Sequence, residues 1–374
     1  MLRIVPFLVA VVTLLLTNPF ARADEIVIGH YGSLTGAEAT FGKSTSEGLR
    51  LAIAEANAAG GVLGKQIKLI EYDTKGDAKE AGAMVTRLVS KDKVVAVIGE
   101  VASSLSLAGA PVCQAAGVPM ISPSSTNPRV TKVGDMIFRV CFIDPFQGFA
   151  GAKFAYETRK ARRVAILLDQ ANAYSVGLAE QFELNFKKMG GTVTSKQSYN
   201  AGDQDFTARL TTIRASDPEI IYVPGYYTDV ANIAIQARAL GITAPMLGGD
   251  GWDSSKLTEI GGKAIEGSFY TNHYTIDDPS ETIQDFIRKY EDEYGEKPDA
   301  LAALGYDAGN LLFHAMKMAN TTESKALAKE LAATKDFDAV TGRLTLDSDR
   351  NAVKPAVIVE IKEGQPRYVA TVNP

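Results

Sequence analysis

The chain has few of the residues that carry most metal and nucleophile chemistry. Its 374 residues include two Cys, three His and one Trp. No two of His30, His273 and His314 stand at i, i+4 to each other, so the helical His pair of a metal site is absent. No G-x-S-x-G occurs, and neither Cys has a recognisable His partner, which argues against nucleophilic hydrolysis. The run Gly36 to Gly42-Lys43-Ser44 resembles a phosphate loop but holds five residues between its glycines where that motif needs four. Positive charge is also in short supply. Lys and Arg total 39 against 44 Asp and Glu, for a net charge of −5, which disfavours nucleic acid or an anionic membrane as partner. Two Cys are too few to be a disulfide framework, although one Cys113–Cys141 bridge is possible in an oxidising compartment.

Long apolar runs are missing except at the start. Ile4 to Leu16 is apolar, Arg3 precedes it, Asn18-Pro19 breaks it, and Ala21-Arg22-Ala23 follows. This reads as a cleaved signal peptide over residues 1–23, too short to serve comfortably as a membrane span. No Cys lies at the cleavage site to take a lipid, so an exported chain without a direct membrane anchor is expected. Without Arg3 and Arg22 the formal net charge becomes −7.

What the sequence does have is a repeated alternation of short apolar runs with helical segments. It is clearest from Val94 to Thr126. Val94 to Ile98 is apolar and stops at Gly99; a Ser-rich turn, Ala102 to Ser104, leads into a helical segment. Val118 to Ile121 is apolar in turn and ends in Ser122 to Thr126. Such runs read as parallel strands buried on both faces, whose carboxyl ends lie beside helix N-termini and hold ligands. Two adjacent ends here carry small hydroxyl side chains and no strong acid, base or nucleophile. That points to binding without chemistry.

The same alternation runs along the chain. Strands are expected at Ile26 to Gly29, Gln66 to Tyr72 and Asp135 to Val140. Leu49, Ala52, Ile53 and Ala56 mark one buried helical face, ended by Gly60-Gly61. Asp144-Pro145 breaks the pattern, after which it restarts. Strands are expected again near Arg163 to Leu168, Thr192 to Ser198, Glu219 to Val223, Pro245 to Leu247 and Glu266 to Thr271. A long helix, Asp299 to Ala319, and late strands at Val340 to Leu346 and Pro355 to Ile361 follow. The pattern implies an α/β protein of two doubly wound lobes. Alternation alone leaves open which lobe takes the helical tail.

Ordered pieces of the sequence resemble a family. They are Leu34-Thr35-Gly36 to Phe41-Gly42, Ala58 to Gly64, Glu71-Tyr72-Asp73, Val97-Ile98-Gly99 to Ser103-Ser104, Ile121 to Pro128, Phe138-Arg139 to Asp144, and Gln147-Gly148. Tyr222 to Tyr226, Gln236-Ala237-Arg238, Gly249-Asp250-Gly251 and Tyr306-Asp307-Ala308 follow in the second half. In order and spacing the chain resembles the periplasmic solute-binding proteins of branched-chain amino acid ABC transport, the leucine/isoleucine/valine receptor type. The resemblance implies a type I periplasmic binding protein fold, with three crossovers near Asp144, Tyr274 and Arg350. It implies an N-terminal lobe of residues 24–143 and 274–349 and a C-terminal lobe of 144–273 and 350–374. It implies a periplasmic monomer that delivers a small solute to an inner-membrane ABC permease, without cofactor or metal and without enzymatic activity.

The resemblance also assigns residues. Ser103 matches the site of the ligand carboxylate, Ser124 a backbone carbonyl that accepts from the ammonium, and Thr126 a headgroup contact. Tyr226 and Asp250 match the tyrosine and acid that approach the ammonium, Tyr174 an aromatic that closes over the ligand, and Phe41 a pocket tyrosine. The sequence departs from the family at Asp250, where the receptors carry Glu, and at Phe41, which lacks a hydroxyl. Gly76 and Ala102 occupy the positions of the family disulfide. Each residue also has a purely structural reading: serines cap and turn, and an Asp between glycines makes an Asx-turn. A branched-chain or other aliphatic amino acid is the expected ligand. An amide, urea or aromatic acid on the same fold, or a sensor subunit, is the alternative.

Overall fold

The computed structural model describes residues 25–374; the expected signal peptide lies outside the described residues. Two separate sheets organise the chain. Ile26–Gly32 (β1), Ile67–Asp73 (β2), Val97–Ile98 (β3), Met120–Ser122 (β4) and Ile137–Arg139 (β5) form a parallel sheet of order β2-β1-β3-β4-β5. Helices Ala39–Ala58 (α1), Ala78–Ser90 (α2) and Ser103–Ala116 (α3) connect its strands. Strands β3, β4 and β5 are buried at every position, as strands covered on both faces must be.

The chain then crosses to a second sheet. Helix α4 (Asp144–Lys153) runs into a π-helical turn at Phe154–Thr158. Strands Arg163–Asp169 (β6), Thr192–Tyr199 (β7), Ile220–Tyr222 (β8), Met246–Gly248 (β9) and Phe269–Asn272 (β10) alternate with Ala173–Lys188 (α5), Thr207–Ala215 (α6), Tyr227–Ala239 (α7) and Ser255–Gly261 (α8). Next come Glu281–Tyr294 (α9), Ala300–Ala319 (α10) and Ser324–Ala332 (α11), then a small sheet of Phe337–Ala339 (β11), Gly342–Leu346 (β12) and Ala352–Val353 (β13). Ala356–Lys362 (β14) and Gln365–Val372 (β15) return to the second sheet, whose order is β15-β14-β10-β9-β8-β6-β7. Its last two strands are antiparallel.

The helical tail packs on the first body. Helices α1 and α10 approach so closely that a Cβ at Gly48 would lie 1.8 Å from the Ala302 carbonyl oxygen, and one at Gly305 2.3 Å from that of Thr45. Only glycine permits this contact.

Three local features refine the expectations. Asp144-Pro145 ends the first run of alternation and itself opens the helix that follows: Asp144 sits in the first turn of α4 with Pro145 beside it, where the missing N–H costs nothing. The Cys113–Cys141 bridge is absent; both are buried free thiols. Strand β15 was not anticipated, because its residues alternate only weakly in polarity; the Glu363-Gly364 turn, with both φ positive, is the hairpin signal that precedes it.

Candidate functional site

The pairing of Ile98 with Ile121 sets the turn after β3 beside the turn after β4. Ser103 is the first residue of α3, and the preceding Ala102 supplies no side-chain cap. The helix therefore presents the positive end of its dipole to this corner. The Ser103 hydroxyl oxygen accepts the Asn127 N–H at 3.2 Å, tying the two turns together. Below them lies Glu100, wholly buried, an acid at the end of β3 where the expectation was hydroxyl side chains alone. One of its carboxylate oxygens accepts from Ser33 at 2.7 Å and from Thr74 at 3.0 Å; the other accepts the Ala102 N–H at 2.8 Å. Ser122 and Ser125 donate to the Glu100 carbonyl at 2.8 and 3.0 Å. Arg139, also wholly buried, donates to the carbonyls of Ser125 and Asn127, the latter at 2.9 Å. A guanidinium and a carboxylate thus hold the hydroxyl-rich corner from beneath.

The second sheet supplies the opposing wall. The pairing of Tyr222 with Leu247 places the start of α7 beside the tight turn Asp250–Trp252. Asp250 is buried. Its Oδ1 accepts from Gln147 Nε2 at 2.7 Å, and its Oδ2 from His273 Nε2 at 3.1 Å and the Ser124 hydroxyl at 3.5 Å. Burial pushes His273 down to about 4, so the imidazole is neutral at pH 7 and donates through Nε2–H. The ring stacks on Phe142 at 3.8 Å. Glycines on both sides of Asp250 allow close approach. A Cβ at Gly249 would lie 2.3 Å from the Tyr174 hydroxyl, and one at Gly251 2.8 Å from the Tyr226 ring.

Asn172 caps α5 and so fixes Tyr174 in the first turn. The Tyr174 hydroxyl accepts the Gly251 N–H at 3.1 Å, and its ring stacks on Tyr226 with centroids 5.4 Å apart. Tyr226 meets Phe41 edge-on at 5.3 Å. Together these rings close one side of a small cavity between the two bodies.

Six of the seven expected residues line that cavity: Phe41, Ser103, Ser124, Tyr174, Tyr226 and Asp250. Val101, Gly251 and Leu301 complete the wall. The seventh, Thr126, does not line it. Thr126 is buried, with its hydroxyl beside the buried Asp144 carboxyl. Its carbonyl accepts the Asp144 N–H at 2.9 Å. Trp252 turns away from the cavity, donating through Nε1 to the Val223 carbonyl at 2.9 Å. A larger, mostly apolar cavity lies behind the Asp250 turn, walled by Trp252, Tyr270, Tyr274 and the β14–β15 hairpin. Its carboxylates, Asp253 and Asp299, already accept hydrogen bonds from the protein on both oxygens. Among the described residues no three metal-binding side chains gather, and no helix is long and apolar enough to cross a membrane.

Comparison with known proteins places the chain in a family. A family model described as "Periplasmic binding protein" matches residues 25–366. The leucine-, isoleucine-, valine-, threonine-, and alanine-binding protein of Pseudomonas aeruginosa is 32% identical over 330 residues, 87% of this chain and 86% of that one. The structure of the leucine binding protein LivK from Thermotoga maritima is similar with a TM-score of 0.90 and 40% identity. It covers 93% of this chain and 99% of that one. The chain belongs to the periplasmic branched-chain amino acid binding protein family. Its fold is the two-lobed α/β fold of that family, and its members are solute-binding proteins, not enzymes. The branched-chain amino acid transporter substrate binding protein LivJ from Streptococcus pneumoniae, solved in complex with isoleucine, superposes with a TM-score of 0.89. That match has 34% identity and covers 94% of this chain and all of that one.

In this two-lobed chain several supporting residues escaped sequence reasoning. Leu301 sits in the first turn of α10, some two hundred residues from Val101, and its apolar character reads as ordinary core. Gln147 and His273 reach Asp250 across 103 and 23 residues, and Arg139 bonds carbonyls 14 and 12 residues before it. The one available signal was Arg139 in a buried strand, since a guanidinium there must meet carbonyls or carboxylates.

Proposed function

We propose that this protein is the periplasmic substrate-binding component of an ABC importer, closing on one α-amino acid with an aliphatic side chain. The observation that carries the reading is the opposition of two polar walls across one small cavity. On one side are Ser103 and an uncapped helix N-terminus, which suit a carboxylate. On the other is Asp250, the one carboxylate in the cavity wall among the described residues, which suits an ammonium. Both charges of an amino acid must leave water, and each then needs a partner. Val101, Leu301 and Phe41 offer apolar surface for the side chain and no group to pair a third charge. The Pseudomonas aeruginosa and Thermotoga maritima relatives, named for leucine and similar ligands, support the same class.

The two lobes, 24–143 with 274–349 and 144–273 with 350–374, act as a clamp. Several bonds bridge them: Thr40 to Ser254 at 3.0 Å, Tyr227 to the Ala37 carbonyl at 2.7 Å, and the Ala173 N–H to Ser104 at 3.1 Å. The chain is exported by its signal peptide, works as a monomer and passes the ligand to an inner-membrane permease. A thermal-shift panel of amino acids, amides, urea and aromatic acids tests the reading. Ligand at a hundred times its Kd adds about 2.7 kcal/mol of stability. Aliphatic L-amino acids are expected to give the largest shifts. Stabilisation by an amide or an aromatic acid alone would overturn the proposal.

A further inference from the structure

The turn that carries Asp250 does not end at the cleft. Trp252 N–H bonds to the Gly249 carbonyl at 3.1 Å, Asp253 N–H to that of Asp250 at 3.1 Å, and Ser254 N–H to that of Trp252 at 2.8 Å. Asp250 and Asp253 are therefore parts of one rigid turn. Asp253 is buried. Its Oδ1 accepts from Tyr270 of β10, within its own lobe, at 2.8 Å. Its Oδ2 accepts the N–H of Ala300, the first residue of α10, at 2.7 Å. Helix α10 belongs to the other body, since it lies along α1. That N–H is one of the donors a helix cannot satisfy internally. Asp299, the α10 N-cap, takes the Ala302 N–H instead, at 2.9 Å. The next residue in the turn, Ser254, reaches α1 through Thr40 at 3.0 Å. Leu301, beside Ala300, lines the ligand cavity.

We propose that Asp253, aided by Ser254, is a closure latch: the turn that receives the ligand at Asp250 simultaneously caps α10 and grips α1 of the opposite lobe. The proposal rests on the reading of the cleft as a ligand clamp. Asp253 touches no ligand; it acts by positioning. Its bond to Ala300 forms only when the lobes meet, so it stabilises the closed complex and leaves the open, capturing state alone. Its loss then appears in ligand release and not in ligand capture.

The test compares wild type, Asp253→Ala, Asp253→Asn and Thr40→Val in release of radiolabelled L-leucine. In parallel, the fluorescence of Trp252, the single Trp of the chain, is followed by stopped flow. Asp253→Ala is expected to release leucine on the order of tenfold faster, with an unchanged on-rate and full binding stoichiometry. Asp253→Asn, which keeps an acceptor for the Ala300 N–H, is expected to restore most of the residence time. Thr40→Val is expected to give a smaller acceleration. A merely structural role would lower the binding-competent fraction without changing the rate of release from the rest. Should Asp253→Ala fail to fold, an unaltered release rate in Thr40→Val overturns the latch. Leucine binding by the wild type, with release unaltered in a folded Asp253→Ala, overturns the latch alone. A wild type that binds none of leucine, isoleucine and valine overturns the cleft reading, and the latch with it.

Discussion

Replacing Asp250 by Asn separates ligand recognition from fold stability, because the structure predicts different costs for each. The carboxylate receives Gln147 on Oδ1 and His273 and Ser124 on Oδ2. An Asn can keep its oxygen towards Gln147, which turns its NH2 towards His273 Nε2. His273 is neutral, and its Nδ1 has no partner among the described residues. The imidazole can therefore move its proton to Nδ1 and accept from the new amide through Nε2, while the Ser124 hydroxyl rotates. Two hydrogen bonds are reversed and none need be lost, so the stability change is expected to stay within about 1 kcal/mol. The ligand ammonium has no such alternative. Losing a buried, hydrogen-bonded charge partner costs about 2–5 kcal/mol, or roughly thirtyfold to several-thousandfold in Kd. Titration calorimetry with L-leucine, beside thermal unfolding of the ligand-free variant, measures both quantities. Binding of 4-methylpentanoate, which is leucine without its amine, should be much less affected. An Asn variant that holds leucine with unchanged affinity would make Asp250 a turn residue and refute the reasoning. A wild type that prefers the amine-free acid would refute it as well.

Further outcomes follow from other buried groups and from the clamp. The folded-state value of His273 lies near 4, below the unfolded value of about 6.5, so between those limits only the unfolded chain binds the proton. Stability should therefore fall as pH drops from 6.5 to 4, by about 3 kcal/mol from this group. His273→Gln keeps a donor towards Asp250 and removes the titration; denaturant melts across that range should show a shallower loss, and parallel curves would contradict the assignment. Burial pushes Cys113 and Cys141 both up to about 12, so neither should react with a thiol reagent in the native state, and both should after unfolding. A bridged mass under non-reducing conditions would refute this. Solution scattering should show a smaller radius of gyration when saturating leucine is added, as two lobes close about a hinge; an unchanged profile would count against the clamp.

The sequence by itself determined the α/β alternation, the hydroxyl-rich ends of β3 and β4, and the Gly-Asp-Gly turn that holds Asp250. These are local signals. Apolar runs, turn residues and helix faces are written in neighbouring positions, and the order of short motifs was enough to name the family. Tertiary structure alone decided what the buried polar groups do. Glu100 and Arg139 support the Ser103 corner through partners drawn from the residues just after β1 and β2 and from the turn after β4. Gln147 and His273 converge on Asp250 from α4 and from the end of β10, Leu301 reaches the cavity from the tail helix, and Asp253 caps a helix of the opposite lobe. Thr126, expected at the cleft, is buried and does not line the cavity. The reason is common to all of them. A buried polar atom must find a partner, but its residue type does not encode which distant segment will supply one; only the packing of two sheets and a shared helix settles that.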